Sequence, residues 1–245
     1  MKQNRGLILI AVMLIGISAL LYYFHFVFFH DPHHIFIYLV GDLAFLPLEV
    51  LLVGIVVERI LSHREKEEKL HKLNTVVGVF FSEVGNRLAE RLINASDSKE
   101  RIMQNISVNA RWKDADFKTA RAYLQKDPPV HFDNIDLPDL KSFLLEKRAF
   151  LLTLIENPNL IEHEHVTDLL LAVFHLSEEL ESRPSLDNLP PNDRAHLQMD
   201  LQRVYQFLVR DWLEYMQYVR TDYPFLYSHY VRTHPFQTNP SAIVV

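Results

Sequence analysis

Hydrophobic and polar positions follow different rules in the two parts of this chain. From Gly6 to Phe29 no charged residue interrupts the apolar run. At 1.5 Å per residue a helix of that length reaches roughly 36 Å, enough to cross a hydrocarbon core of about 30 Å. His30, Asp31, Pro32, His33 and His34 interrupt the pattern, and a second apolar run extends from Ile35 to Val57. So short a link predicts an antiparallel helical hairpin. The first run ends in Tyr22, Tyr23, Phe24, Phe26, Phe28 and Phe29, an interfacial aromatic belt where a cleaved signal peptide would carry small residues.

Past residue 61 the pattern becomes amphipathic. The charged stretch Ser62 to Lys72 holds Glu65 with Lys69 and Glu68 with Lys72 at i, i+4 spacing, which supports a solvated helix. Leu70, Leu73, Val77, Phe80, Val84 and Leu88 then recur at steps of three and four, a stripe that predicts an assembly or bundle contact. Helical patterns follow at 98–108, 114–126, 138–157, 163–182 and 192–221, punctuated by prolines and by capping residues such as Ser98 and Asn192. The expected fold is all-α: an N-terminal transmembrane helical hairpin (1–61, spans 6–29 and 35–57) continuing into a cytoplasmic helical bundle domain. Its parts are a stalk and amphipathic helix (62–95), a helical domain (96–222) and an extended aromatic C-terminal arm (223–245). That arm is inferred from Tyr223, Phe225, Tyr227, Tyr230 and Phe236 between Pro224 and Pro235, since disordered segments rarely hold so many rings.

Charge sets orientation. Lys2 and Arg5 precede the first span, and Arg59, Arg64, Lys66, Lys69 and Lys72 follow the second, whereas the connecting turn has neither Lys nor Arg. Both termini are therefore expected in the cytoplasm, with the protein multi-pass in the cytoplasmic (inner) membrane. The 245 residues carry a formal charge of -6, so a nucleic-acid partner is not expected. All six glycines lie within the first 85 residues and cysteine is absent. Gly-rich phosphate cradles beyond that point, thiol catalysis and cysteine-ligated metals are thereby excluded. No cofactor is expected, and no catalytic signature emerges.

Candidate chemistry concentrates in the second run. Asp42 and Glu49 lie two helical turns apart, so they share a face. Each carboxylate near the centre of a membrane costs roughly 3 kcal/mol, which calls for cover by protein or water. Pro47 between them frees the carbonyl of Leu43 and predicts a kink. Counting back along the hairpin from Pro32 sets Tyr22 level with Asp42 and His25 within a turn of it, while Glu49 finds no polar neighbour in its own hairpin. His30, Asp31, His33 and His34 form a candidate metal set in the turn. In the helical domain Glu162, His163, Glu164, His165, Asp168 and His175 form a second cluster, with Glu162 and His165 at Glu-x-x-His spacing. A charged helix start explains that cluster more simply than a metal site does.

Gly41, Asp42, Leu43, Ala44 and Phe45, then Phe80 through Gly85, resemble a group of prokaryotic two-transmembrane-helix membrane proteins with no assigned activity. Tyr223, Pro224, Phe225 and Arg232 through Phe236 are similar to the same group. The resemblance implies a prokaryotic setting and says nothing of reaction or ligand. The expected function is that of an integral membrane homo-oligomer whose partners are the bilayer and a cytoplasmic protein, with the helical domain as scaffold or regulator. The alternative is an oligomeric ion or proton channel lined by the second span.

Overall fold

A computed structural model describes residues 2–126, 129–157, 160 and 164–243. The chain divides into two compact units at Lys66 and Glu67, and among the described residues it contains helices and no strand.

The first unit holds α1 (Lys2–Phe29) and the early part of α2, which runs from Pro32 to Phe80. The link between them is only His30 and Asp31, shorter than the sequence suggests, because both residues act as caps. His30 takes a left-handed backbone (φ 51) and its amide donates to the Phe26 carbonyl at 2.9 Å, closing α1 in the manner usually reserved for glycine. Asp31 Oδ1 accepts from the amides of His33 and His34 at 3.0 and 3.2 Å, and Pro32 follows at the first helical position, where its missing donor costs nothing. The helix passes through Pro47 uninterrupted. From Ile10 to Glu65 the side chains are exposed apart from His25 and Ile35.

The second unit is built round its longest helix. After α2 come a π-helical turn (Phe81–Gly85), α3 (Asn86–Ala95), α4 (Lys99–Ile106), α5 (Asp114–Lys126), α6 (Leu137–Ile155), α7 (Glu164–Glu181), α8 (Pro191–Asp222) and α9 (Pro224–Thr233). Helix α8 packs against α3, α5, α7 and α9, while α6 lies on α7. Its stripe Leu197, Leu201, Val204, Leu208, Trp212, Tyr215 and Val219 is buried, as periodicity predicts. The faces expected for α6 and α7 are also inside: Leu140, Phe143, Leu144, Leu151 and Leu154 on one, Leu169, Leu170, Val173, Leu176 and Leu180 on the other.

Two expectations are corrected. The stripe assigned to assembly is used within the chain: Leu73, Val77, Phe80 and Val84 join the domain core, and only Leu70 stays exposed, at 47%. Apolar spacing reports that a face is covered without saying by which chain. The C-terminal segment is not an extended arm, since Pro224 to Thr233 is helical and Tyr227 and Val231 are buried. Tyr223, Tyr227, Tyr230 and His234 are three or four residues apart, a helical period. Pro224 is a first-position proline rather than a breaker. Beyond the helix, Phe236 is fully buried against Trp212, with ring centroids 4.5 Å apart.

The π-helical turn explains a glycine. A Cβ at Gly85 would lie 2.5 Å from Phe81 Cδ1 and 3.0 Å from Phe80 Cε1, and both rings are 2% exposed. With two immobile rings in the way, Gly85→Ala incurs an overpacking cost near the upper end of about 1–3 kcal/mol, against roughly 1 kcal/mol returned by helix propensity. We expect a net loss of about 1–2 kcal/mol in denaturant unfolding of the protein. An unchanged midpoint would show that the turn yields freely.

Candidate metal centre

Several of the described histidines are accounted for by their neighbours. His34 stacks on His25 (5.9 Å, 9° between planes) and packs on Tyr38, and His30 lies against Phe26. With Asp31 engaged in capping, the turn residues His30, Asp31, His33 and His34 do not converge as a ligand set. His25 also rests on Phe29, and its enclosed Nε2 has no hydrogen-bond partner. Its contact with His34, eight residues and about 12 Å before Asp42 along α2, corrects the expected register: equal counting from that contact sets Asp42 near Ile17 rather than Tyr22. Asp42, Glu49 and Tyr22 are exposed, and no hydrogen bond or ion pair among the described residues engages them.

In the second unit, His71 accepts or donates through Nδ1 to the Tyr218 hydroxyl at 3.1 Å, and Glu68 pairs with Lys72 at 2.8 Å. The Glu-x-x-His pair there is engaged in a surface ion pair and a hydrogen bond to Tyr218. His234 is 2% exposed, its Nε2 lies 2.9 Å from the Val108 carbonyl, and its Nδ1 accepts from the Phe236 amide. Burial pushes its pKa down to about 4, so this ring is a neutral core residue. Glu162 and His163 lie outside the described residues, as does the Glu164 side chain. His165 offers its backbone carbonyl to Arg210.

His175 behaves differently. It stands on α7 one turn before Glu179, and across from them on α8 stand His196 and Asp200, again one turn apart. Two successive helices thus present a histidine and a carboxylate at i, i+4, the spacing that puts both on one face. His175 Nε2 lies 3.8 Å from Asp200 Oδ2 and 3.9 Å from Glu179 Oε1, and His196 Nε2 lies 3.5 Å from both Asp200 Oδ2 and Glu179 Oε2. Nitrogen and oxygen ligand atoms of His175, His196 and Asp200 all fall within 4.8 Å of one another. Among the described residues, no other such group of three forms.

Neighbouring arginines hold the carboxylates. Arg203 Nη1 donates to Asp200 Oδ1 at 2.8 Å. Asp200 is 3% exposed, and its other oxygen, Oδ2, faces the imidazoles without a hydrogen bond. Arg183 donates to Glu179 Oε2 at 2.8 Å and grips Asp193 with two nitrogens at 2.9 and 2.6 Å. Its guanidinium holds both carboxyls below their usual range, and Asp193 chiefly, with Glu179, raises the arginine's own pKa. Sequence spacing selects His175 but pairs it with His165 and Asp168. Glu179, His196 and Asp200 were missed, although His-x-x-x-Glu and His-x-x-x-Asp on consecutive helices carry the signal.

A second buried acid lies further along α8. Asp211 is 3% exposed, accepts from Arg210 Nε at 2.7 Å through Oδ1, and leaves Oδ2 unpartnered.

The comparisons agree with this division of the chain. Residues 69–232 match the family described as "Uncharacterized protein MJ1433, C-terminal helical domain", and residues 2–61 match "MJ1433, N-terminal helical domain". "Uncharacterized protein MJ1433" of Methanocaldococcus jannaschii is 41% identical over 245 residues, covering 100% of this chain and 98% of that protein. No solved structure matches. An all-helical protein in two parts is the class that the fold defines. The chain belongs to the MJ1433 family.

Burial raises the pKa of Asp211 from 3.8 to about 6 despite Arg210. The folded chain keeps this proton to higher pH than the unfolded one, so its contribution to stability is full below pH 3.8 and is lost as pH rises through 6. Relative to wild type, Asp211→Asn should gain about 2–3 kcal/mol between pH 4 and pH 7. Denaturant titrations at the two pH values check this, and parallel pH profiles would contradict it.

Proposed function

We propose that this protein is an integral protein of the cytoplasmic membrane, held by α1 and the early part of α2, whose helical domain is a cytoplasmic regulatory or interaction module. One observation carries the reading: α1 and the early part of α2 present apolar residues on every side, interrupted in α2 only by Asp42 and Glu49, and their windows of membrane-crossing length are 0% buried. A helix hydrophobic on every side belongs in a core or in lipid. The early part of α2 is not in a core, and neither is the described stretch of α1, so lipid is the medium that fits. The basic residues at both outer ends, and their absence from the turn, favour cytoplasmic termini.

Membranes washed with alkaline carbonate should retain the protein until detergent releases it. A detergent-free, monodisperse soluble monomer would contradict the reading.

Assembly follows from the carboxylates. Asp42 and Glu49 share a face, have no partner in the hairpin, and would each cost roughly 3 kcal/mol against lipid. Contact between copies removes that cost. Glu49→Leu should therefore shift the detergent-solubilised protein from oligomer toward monomer in light scattering, whereas a monomeric wild type would refute assembly. The same unpartnered face supports a second reading, in which several copies of α2 line a water-filled path. Proteoliposomes that pass no ions at any pH would dismiss it.

A further inference from the structure

We propose that His175, His196 and Asp200, with Glu179 completing the set, bind one divalent transition-metal ion of the zinc class between α7 and α8. The separations decide between a metal and an ordinary hydrogen-bonded cluster. A hydrogen bond between imidazole and carboxylate closes to about 2.7–3.2 Å, and the four histidine-carboxylate separations here are 3.5, 3.5, 3.8 and 3.9 Å. Four ligands about 2.0–2.1 Å from a tetrahedral ion stand about 3.3–3.4 Å from one another. The two imidazole–Asp200 separations, 3.5 and 3.8 Å, lie within about half an ångström of that co-ligand spacing, and Glu179 meets the two imidazoles through different oxygens, so one of its oxygens is left to a ligand role; all four separations are longer than ordinary hydrogen bonds.

Asp200 supplies the independent sign of a ligand. Burying a carboxylate oxygen without a donor is costly, yet Oδ2 is enclosed while Arg203 occupies Oδ1. An outer donor on one oxygen that fixes the aim of the other is how proteins orient carboxylate ligands. Local charge also suits a dication: Glu179, Asp193 and Asp200 are opposed by Arg183 and Arg203, leaving a net negative charge when both imidazoles are neutral. Two nitrogen donors favour a transition metal over magnesium or calcium, which prefer all-oxygen shells. The histidines are 45% and 46% exposed, so solvent reaches the ion, which would fasten α7 to α8 beside the connection that joins them.

The full-length protein in detergent, stripped with chelator, is titrated with Zn²⁺ by calorimetry and with Co²⁺ by visible absorption at pH 7.5. One saturable equivalent is expected, with His175→Ala and His196→Ala each weakening it at least tenfold. Circular dichroism should be unchanged because both side chains are half-exposed. Binding should weaken as pH falls, because protons compete with the metal for the imidazoles. A variant with His30, His33 and His34 all replaced by Ala should bind as wild type does. Absence of saturable binding by folded protein, binding that survives loss of both His175 and His196, or binding abolished by the triple replacement would each overturn the proposal.

Discussion

The controlling constraint is that the apolar surface of α1 and early α2 has no cover within its own chain. A soluble domain normally buries such residues because removing apolar area from water is worth about 25 cal/mol per Å². Here Leu14, Ile15, Phe28, Leu43 and Val53 stay between 56% and 77% exposed. From Ile10 to Glu65 the exposure is broken only at His25 and Ile35, so one small partner surface would not relieve it. The proposed bilayer does.

The second unit shows the opposite economy. Its core is closed by its own segments: the last turns of α2, the π-helical turn, and α9 with Phe236 all deliver side chains to it. Helix α8 is the spine against which these elements register. Core packing and the candidate metal centre share that helix without competing, because Leu197 and Leu201 point inward while His196 and Asp200 meet α7.

Much of this was legible in the sequence, for identifiable reasons. Uninterrupted apolar runs and three-four spacing report local burial, so the two long helices and the inner faces of α6, α7 and α8 could be read directly. What covers a buried face is non-local. The stripe Leu73, Val77, Phe80 and Val84 therefore reads as either an assembly or a bundle contact, and it is the chain's own core that covers it. Aromatics between prolines read as an extended arm because proline was taken as a breaker, whereas Pro224 starts a helix. The register of Tyr22 and Asp42 failed because His30 and Asp31 shorten the turn. Of the candidate metal centre only His175 was found, since its three companions depend on how α7 and α8 face each other.

Cysteine is absent, so single nitroxide labels can be introduced without background. Labels at Ile15→Cys and Leu51→Cys, in protein reconstituted into bilayers, report collisions with oxygen, which enters hydrocarbon, and with a polar nickel chelate, which does not. The account predicts strong oxygen and negligible chelate collisions at both sites, with the reverse at a Ser182→Cys control on the exposed end of the helical domain. Chelate access at Ile15 and Leu51 equal to that at Ser182 would contradict it.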